Sequence, residues 1–376
     1  MKKMLFLKPV VVAVCLSSML FCFGCNGNKG SDVTSTDNPE NEAALQQDVS
    51  QTDSAEPDKT EQSENEEKYV PEFINPLTGQ ECSQQVSCAR PVAIMINNLR
   101  EAIPQMGIGQ AQIIYEALAE GGITRLVAIF NDYDDIPEIG SIRSARDYYI
   151  DIADAHDAIY VHAGQSEEAK RVIISRGTNN INGEFMYRSA ERRKTMAYEH
   201  TLMMKGTSLT QAISAKNYRN TSDKKQPLAF KETDSTPEGQ DAQYIEYAFF
   251  IGKTNNPYAV SFFNYDEELK EYKRGQYGEE HIDGADGKVL SFKNVILIEC
   301  PHSNTYDQLK HINVNFTGTG KGKYFTNGKV IDICWERQSR TSSYTLYESD
   351  GETPLLLNPG KSYIGIVPIG TDVIVK

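Results

Sequence analysis

The chain opens with an uncharged apolar run, residues 9–24 (PVVVAVCLSSMLFCFG), behind Lys2, Lys3 and Lys8. A bilayer-spanning helix wants roughly 20 apolar residues. This run is shorter, and its length and basic flank are those of a signal-peptide core. The next apolar pattern starts near residue 90. Pro91 to Asn97 (PVAIMIN) is short and rich in Val and Ile, which predicts a strand. Gly109 to Glu120 (GQAQIIYEALAE) sets Ile114 and Leu118 one turn apart and predicts a helix closed by Gly121 and Gly122. Thr124 to Phe130 (TRLVAIF) predicts the next strand. Ile142 to His156 predicts a second helix, with Tyr149, Ile152 and Ala153 on its buried face. Ala158 to Val161 is again strand-like, and Glu167 to Ser175 helical. Strands separated by helices imply crossovers and a mostly parallel sheet covered by helices.

Beyond residue 243 the period changes. YAVSFF, VILIEC, HINVNF and VIDICW alternate, and Asp286–Gly287, Asn327–Gly328 and Pro359–Gly360 punctuate them as turns. The pattern predicts an α/β domain over 70–225, a polar linker over 226–243, and a mainly antiparallel β domain over 244–376. Thr371 to Val375 is expected to complete an edge strand.

Charge adds a third region. Residues 26–69 carry 12 Asp or Glu against three Lys and almost no large apolar residue. Such a segment buries too little surface to offset the entropy of ordering it, and 25–69 reads as an acidic tether. It holds most of the formal net charge of −14, so the remainder is only mildly acidic. An acidic chain lacks the basic footprint of a nucleic-acid partner. The sequence FCFGC ending at Cys25 resembles a lipobox, with Gly24 as the small residue at the cut. It predicts a signal peptide over 1–24 and a lipid anchor on Cys25, holding the protein on the outer face of the cell membrane. Cys82 and Cys88, six apart, are expected to close a small disulfide loop outside the cell. Cys300 and Cys334 lie in two apolar runs, where they either bridge adjacent strands or remain free small hydrophobes.

Candidate chemistry is sparse. No GxGxxG opens a helix, no GxxxxGK[ST] loop is present, and no Cys or His has zinc-like spacing. No cofactor and no metal are expected. Arg143 and Arg146 follow a Gly–Ser turn and are three apart, and Arg125 follows GGIT. Arginine forks suit carboxylates and phosphates, so these three predict an anion site with His162 at its edge, where open α/β sheets hold ligands. The plain alternative pairs Arg143 with Asp147, while Arg146 faces solvent or braces Glu116. Glu116 and Glu120, four apart on the predicted helix, supply either a carboxylate pair for glycan hydrolysis or clamps for the arginines. His281 and Asp283 point the same way if extended, as a binding pair or a brace. Ser166 reads as a helix N-cap.

Longer motifs carry a resemblance. INPLTG at 74–79, RPVAIMINN at 90–98, GIGQAQIIYEALAEGGITRLVAIF at 107–130 and IGSIRSARDYYIDIADAHDAIYVHAG at 139–164 resemble the YerB family of bacterial lipoproteins. The stretches from YDEELKEYKRGQYGEEHIDG to FKNVILI, GKGKYFTNGKVIDICWERQSRTSSYTLY, and LNPGKSYIGIVP resemble its carboxy-terminal domain. The resemblance implies a two-domain envelope protein and supplies no reaction. It keeps His200, but Glu199 and Thr201 stand where the family pattern is Pro-His-Asn. Three function classes fit. The first is an envelope lipoprotein that binds an anionic cell-wall glycan or an envelope partner protein. The second is a glycan-processing or phosphoryl-transfer enzyme, and the third a structural or sensory lipoprotein.

Overall fold

The structure is a computed structural model and describes residues 70–249 and 260–376. The signal segment 1–24, Cys25 and the tether 25–69 lie outside the described residues. Apolar runs in both halves feed one large sheet. Its spatial order is Thr345–Glu348, Lys329–Arg337, Gly318–Thr326, Asn294–Cys300, Ser362–Pro368, Ile113–Leu118, Thr124–Phe130, Val92–Asn97, Ile159–His162 and Asn180–Asn182. Val92–Asn97 and Ile159–His162 run parallel, as do Ile159–His162 and Asn180–Asn182. Helices Asp147–Ala155, Glu167–Arg176 and Gly206–Ala215 belong to this half, which is α/β around a mixed sheet. The carboxy-terminal half is mainly antiparallel β. Its second sheet runs Glu279–Glu280, Glu271–Gln276, Val260–Asp266, Tyr244–Ala248 and Val373–Val375, with the last as the expected edge strand. Ile113–Leu118 pairs in parallel with Ser362–Pro368, so a single sheet continues from one half into the other.

Several elements differ from the pattern's first reading. Residues 113–118 form a strand, not part of a helix, and all six are buried. A strand covered on both faces reads as a continuous apolar run, without the alternation that identifies a half-exposed one. The glycines that resemble a helix stop instead make a hairpin turn, with Gly121 at a left-handed φ of 68°. The helix expected from Ile142 begins only at Asp147; Ile142 itself bridges Ile96 in extended backbone. Helix Gly206–Ala215 is one that the pattern does not predict.

The expected disulfide is also absent: Cys82 and Cys88 are both free. Ser83 caps the short helix Gln84–Cys88, and the Cys88 thiol turns back to donate to the Gln84 carbonyl at 3.3 Å. Cys300 and Cys334 are likewise free. Their strands are not adjacent, because Gly318–Thr326 runs between them.

Polar contacts pin the halves together where the sheet crosses. Glu116 is 0 % exposed, as is Arg274, and they form an ion pair at 3.1 Å. One Glu116 oxygen accepts from Asn98 (2.9 Å) and Thr124 (2.6 Å), and the other from Ser261 (2.9 Å) and Tyr363. Burial works against the Arg274 charge, yet Tyr363 and Glu116 hold its pKa above the ordinary value. At the opposite face Tyr115 bonds to Tyr344 (2.6 Å) and to His156 (2.7 Å), whose pKa burial pushes down to about 4. Removing one member of a buried pair strands the other and costs about 3–5 kcal/mol. Glu116→Ala is therefore expected to lower the unfolding free energy by about that amount, measured by urea denaturation. A loss below about 1 kcal/mol, the scale of an exposed pair, contradicts this.

Candidate functional site

The strands Val92–Asn97, Ile113–Leu118 and Ile159–His162 all end at one edge of the large sheet, as the parallel pairing and the antiparallel hairpin require. Loops beyond these carboxyl ends are where α/β sheets hold ligands. Glu120 lies in the turn leaving the second strand, and Arg125 sits at the start of the strand that follows. Arg143 and Arg146 lie in the extended segment that enters helix Asp147–Ala155. The edge thus collects three guanidinium groups around the Glu120 carboxylate.

Their pairing is unequal. Glu120 accepts from Arg146 Nε (3.0 Å) and Nη2 (2.6 Å), and also from Arg125 Nη2. Arg125 Nη1 donates to the Ser144 carbonyl at 2.6 Å, and Arg146 Nη1 to the Ala145 carbonyl at 2.6 Å. Burial alone would raise the Glu120 carboxyl, but the charges of Arg125 and Arg146 hold it below its ordinary value. Arg143 differs. It is half-buried, forms no ion pair among the described residues, and makes one long bond, Nη1 to the Glu199 carbonyl at 3.4 Å. Its pKa is lowered first by burial and then by the charge of Arg125, with Glu199 and Glu120 opposing. Three guanidinium groups thus face the Glu120 carboxylate, with the Glu199 carboxylate near enough to act on Arg143.

His200 completes the edge. Asn97 Oδ1 accepts from the Leu99 N–H (3.1 Å), which orients the amide so that Nδ2 donates to His200 Nδ1 at 2.8 Å. In the neutral imidazole the proton is therefore on Nε2, for which no protein acceptor is present among the described residues. Burial lowers the His200 pKa, with Glu199 opposing and Arg143 adding to the fall. Nε2–H is thus a donor at neutral pH, on a largely buried ring that feels the Arg143 charge. Arg192 anchors the segment, donating to the carbonyls of Ala102 (2.8 Å), Pro104 (2.7 Å) and His200 (3.3 Å).

The remaining expected site residues are elsewhere or turned away. His162 is buried; Nδ1 donates to the Gly164 carbonyl (2.9 Å) and Nε2 lies 3.3 Å from the Asn180 amide. Burial lowers its pKa. Its backbone neighbour Ala163 does bond to the Arg143 carbonyl at 3.0 Å. Glu116 does not share a helical face with Glu120, nor does it brace Arg146. His281, buried and with its pKa pushed well down by burial and by Arg274, bonds to that arginine and to Gln105 (2.6 Å). Asp283 accepts from the backbone N–H of Gly107 (2.8 Å) and Gly109 (2.6 Å). These three belong to the joint between the halves. Arg143 does not pair with Asp147, which instead accepts from Arg340 at 2.9 Å. Ser166 is a helix N-cap, accepting from Ala169 N–H at 3.1 Å. No cluster of metal-ligating side chains occurs among the described residues. Sequence reading missed Asn97 and Arg192. A polar residue closing an apolar strand was the available signal for the first.

Glu120 gives a pH test. A carboxyl depressed in the fold stabilises above its unfolded value, near 4.5, and loses that contribution as the pH falls through the lower folded value. The stability difference between wild type and Glu120→Gln is expected to be constant from neutral pH down to about 5 and to close below that. Denaturation curves across the acid range measure it; a gap that persists unchanged in acid contradicts the pairing.

Comparison with known proteins places the chain. The sequence model described as "Protein of unknown function (DUF3048) N-terminal domain" matches residues 77–219, and its C-terminal counterpart matches residues 251–364. A protein described as lipoprotein YerB, from Bacillus subtilis (strain 168), is 32% identical over 296 residues, spanning 78% of this chain and 86% of the relative. The crystal structure of YerB protein from Bacillus subtilis superposes with a TM-score of 0.70 at 29% identity, covering 80% of this chain and 99% of that one. The chain belongs to the YerB (DUF3048) family.

Proposed function

We propose that this protein is a membrane-tethered binding protein of the cell envelope that holds an anionic glycan at Arg143. The observation that carries the reading is the unpaired Arg143 guanidinium. It stands beside two arginines that share a single carboxylate, and beside the His200 Nε2–H donor. Guanidinium groups bind planar carboxylates and phosphates through paired, charge-assisted hydrogen bonds. An anion there would offset the mutual repulsion of the three arginines. The tautomer held by Asn97 makes His200 a donor and not a general base, which favours binding over hydrolysis. Glu116 and Glu120 offer no facing carboxylate pair, which also argues against glycan hydrolysis.

Location rests on the signal-like start, the lipobox-like FCFGC and the likeness to a relative described as a lipoprotein. Mass spectrometry of membrane-extracted protein is expected to find Cys25 as the first residue, carrying acyl chains. An intact segment 1–24 in the mature product contradicts this.

The binding test is calorimetry of the full chain with poly(glycerol phosphate), an anionic wall-type polymer. Wild type is expected to bind, with affinity falling as salt rises. Arg143→Ala is expected to weaken binding about tenfold or more, the scale of a charge-assisted hydrogen bond. Equal affinity in wild type and a folded Arg143→Ala variant removes this site.

A further inference from the structure

Resting on that anion site, we propose that Tyr198 is a stacking platform for a sugar ring, so that the ligand is a hexose whose anionic substituent sits on Arg143 and His200. Tyr198 is 61% exposed, although its turn is firmly anchored. It belongs to the single 3-10 turn Tyr198–His200, whose other two residues both form part of the anion site. The Glu199 carbonyl accepts from Arg143, and His200 presents Nε2–H. Tyr198 therefore lies two residues from His200, on the order of 4 Å of backbone rise. That separation is about the length of one pyranose unit.

The platform is rigid without being packed. Arg192, itself buried, pins the segment through the carbonyls of Ala102, Pro104 and His200. Arg188 places its guanidinium 4.1 Å from the centre of the Tyr198 ring and donates to the Tyr198 carbonyl at 2.6 Å. A ring fixed in this way pays little entropy when a ligand settles on it. Arg188 covers one face of the ring and Arg193 lies 5.9 Å from its centre; the exposed remainder offers apolar area to the C–H face of a sugar, with both cations beside it. A tyrosine that served only to seat Arg188 would add nothing to the affinity for a sugar.

Three small probes separate the contributions: inorganic phosphate, glucose 1-phosphate and glucose, titrated by calorimetry into the full chain. The proposal expects glucose 1-phosphate to bind about tenfold more tightly than phosphate, the scale of an aromatic contact. Tyr198→Ala and Tyr198→Leu are expected to erase that difference while leaving phosphate affinity unchanged, and Tyr198→Phe to retain it. Arg143→Ala is expected to weaken both anionic probes together. If wild type binds phosphate and glucose 1-phosphate equally, or if Tyr198→Leu leaves their ratio unchanged, the stacking platform is overturned and the anion site stands. If wild type binds neither anionic probe, the anion site fails and the platform with it.

Discussion

An ion pair with no access to water, Glu116 with Arg274, is the contact on which the rest of the arrangement depends. Burying two charges costs more than their attraction returns unless every remaining donor and acceptor is met. Here Asn98, Thr124, Ser261 and Tyr363 complete the carboxylate, while Gln276 and His281 accompany the guanidinium and leave only its Nε without a partner. Those partners come from both halves of the chain, so the pair is satisfied only when the halves are docked. The same requirement gives a physical reason for one sheet running through both, with Ile113–Leu118 laid beside Ser362–Pro368.

The buried network also reaches the candidate site. His281 passes from Arg274 to Gln105, and Gln105 donates to the Asn97 carbonyl at 2.8 Å. Asn98, bonded to Glu116, is the next residue. Asn97 in turn fixes the His200 tautomer. A strand end that is held from below by the core therefore orients a donor at the edge above. Preorganisation of this kind is what a shallow anion site needs, since a mobile donor gives back in entropy what it gains in contact.

The strands that alternate, and the helices with caps at both ends, were legible because a single neighbouring layer sets their period. Ser166 and Gly177 bracket helix Glu167–Arg176 as local rules dictate. Ile113–Leu118 was not legible: with both faces covered, its apolar run fits either period, and only its pairing partners decide. The candidate site was half legible. Arg125, Arg143 and Arg146 do converge with Glu120, because glycine-bearing turns and the strand end bring them to one edge. His281 and Asp283 were attractive on spacing alone, yet their partners Arg274, Gln105, Gly107 and Gly109 are set by tertiary docking. Asn97, Arg192 and Tyr198 carry no motif; their meaning comes from a turn folded over a strand end.

The anion site stands or falls on Arg143. The charges of Arg125 and Arg146 are answered by Glu120, whereas Arg143 has only a long bond to a carbonyl. The most direct measurement is a crystal structure grown at low ionic strength and soaked with glucose 1-phosphate. Density for the phosphate is expected within hydrogen-bond distance of the Arg143 guanidinium and His200 Nε2, with Glu120 still joined to Arg125 and Arg146. An empty edge, with Arg143 swung onto the Glu199 carboxylate, would contradict this.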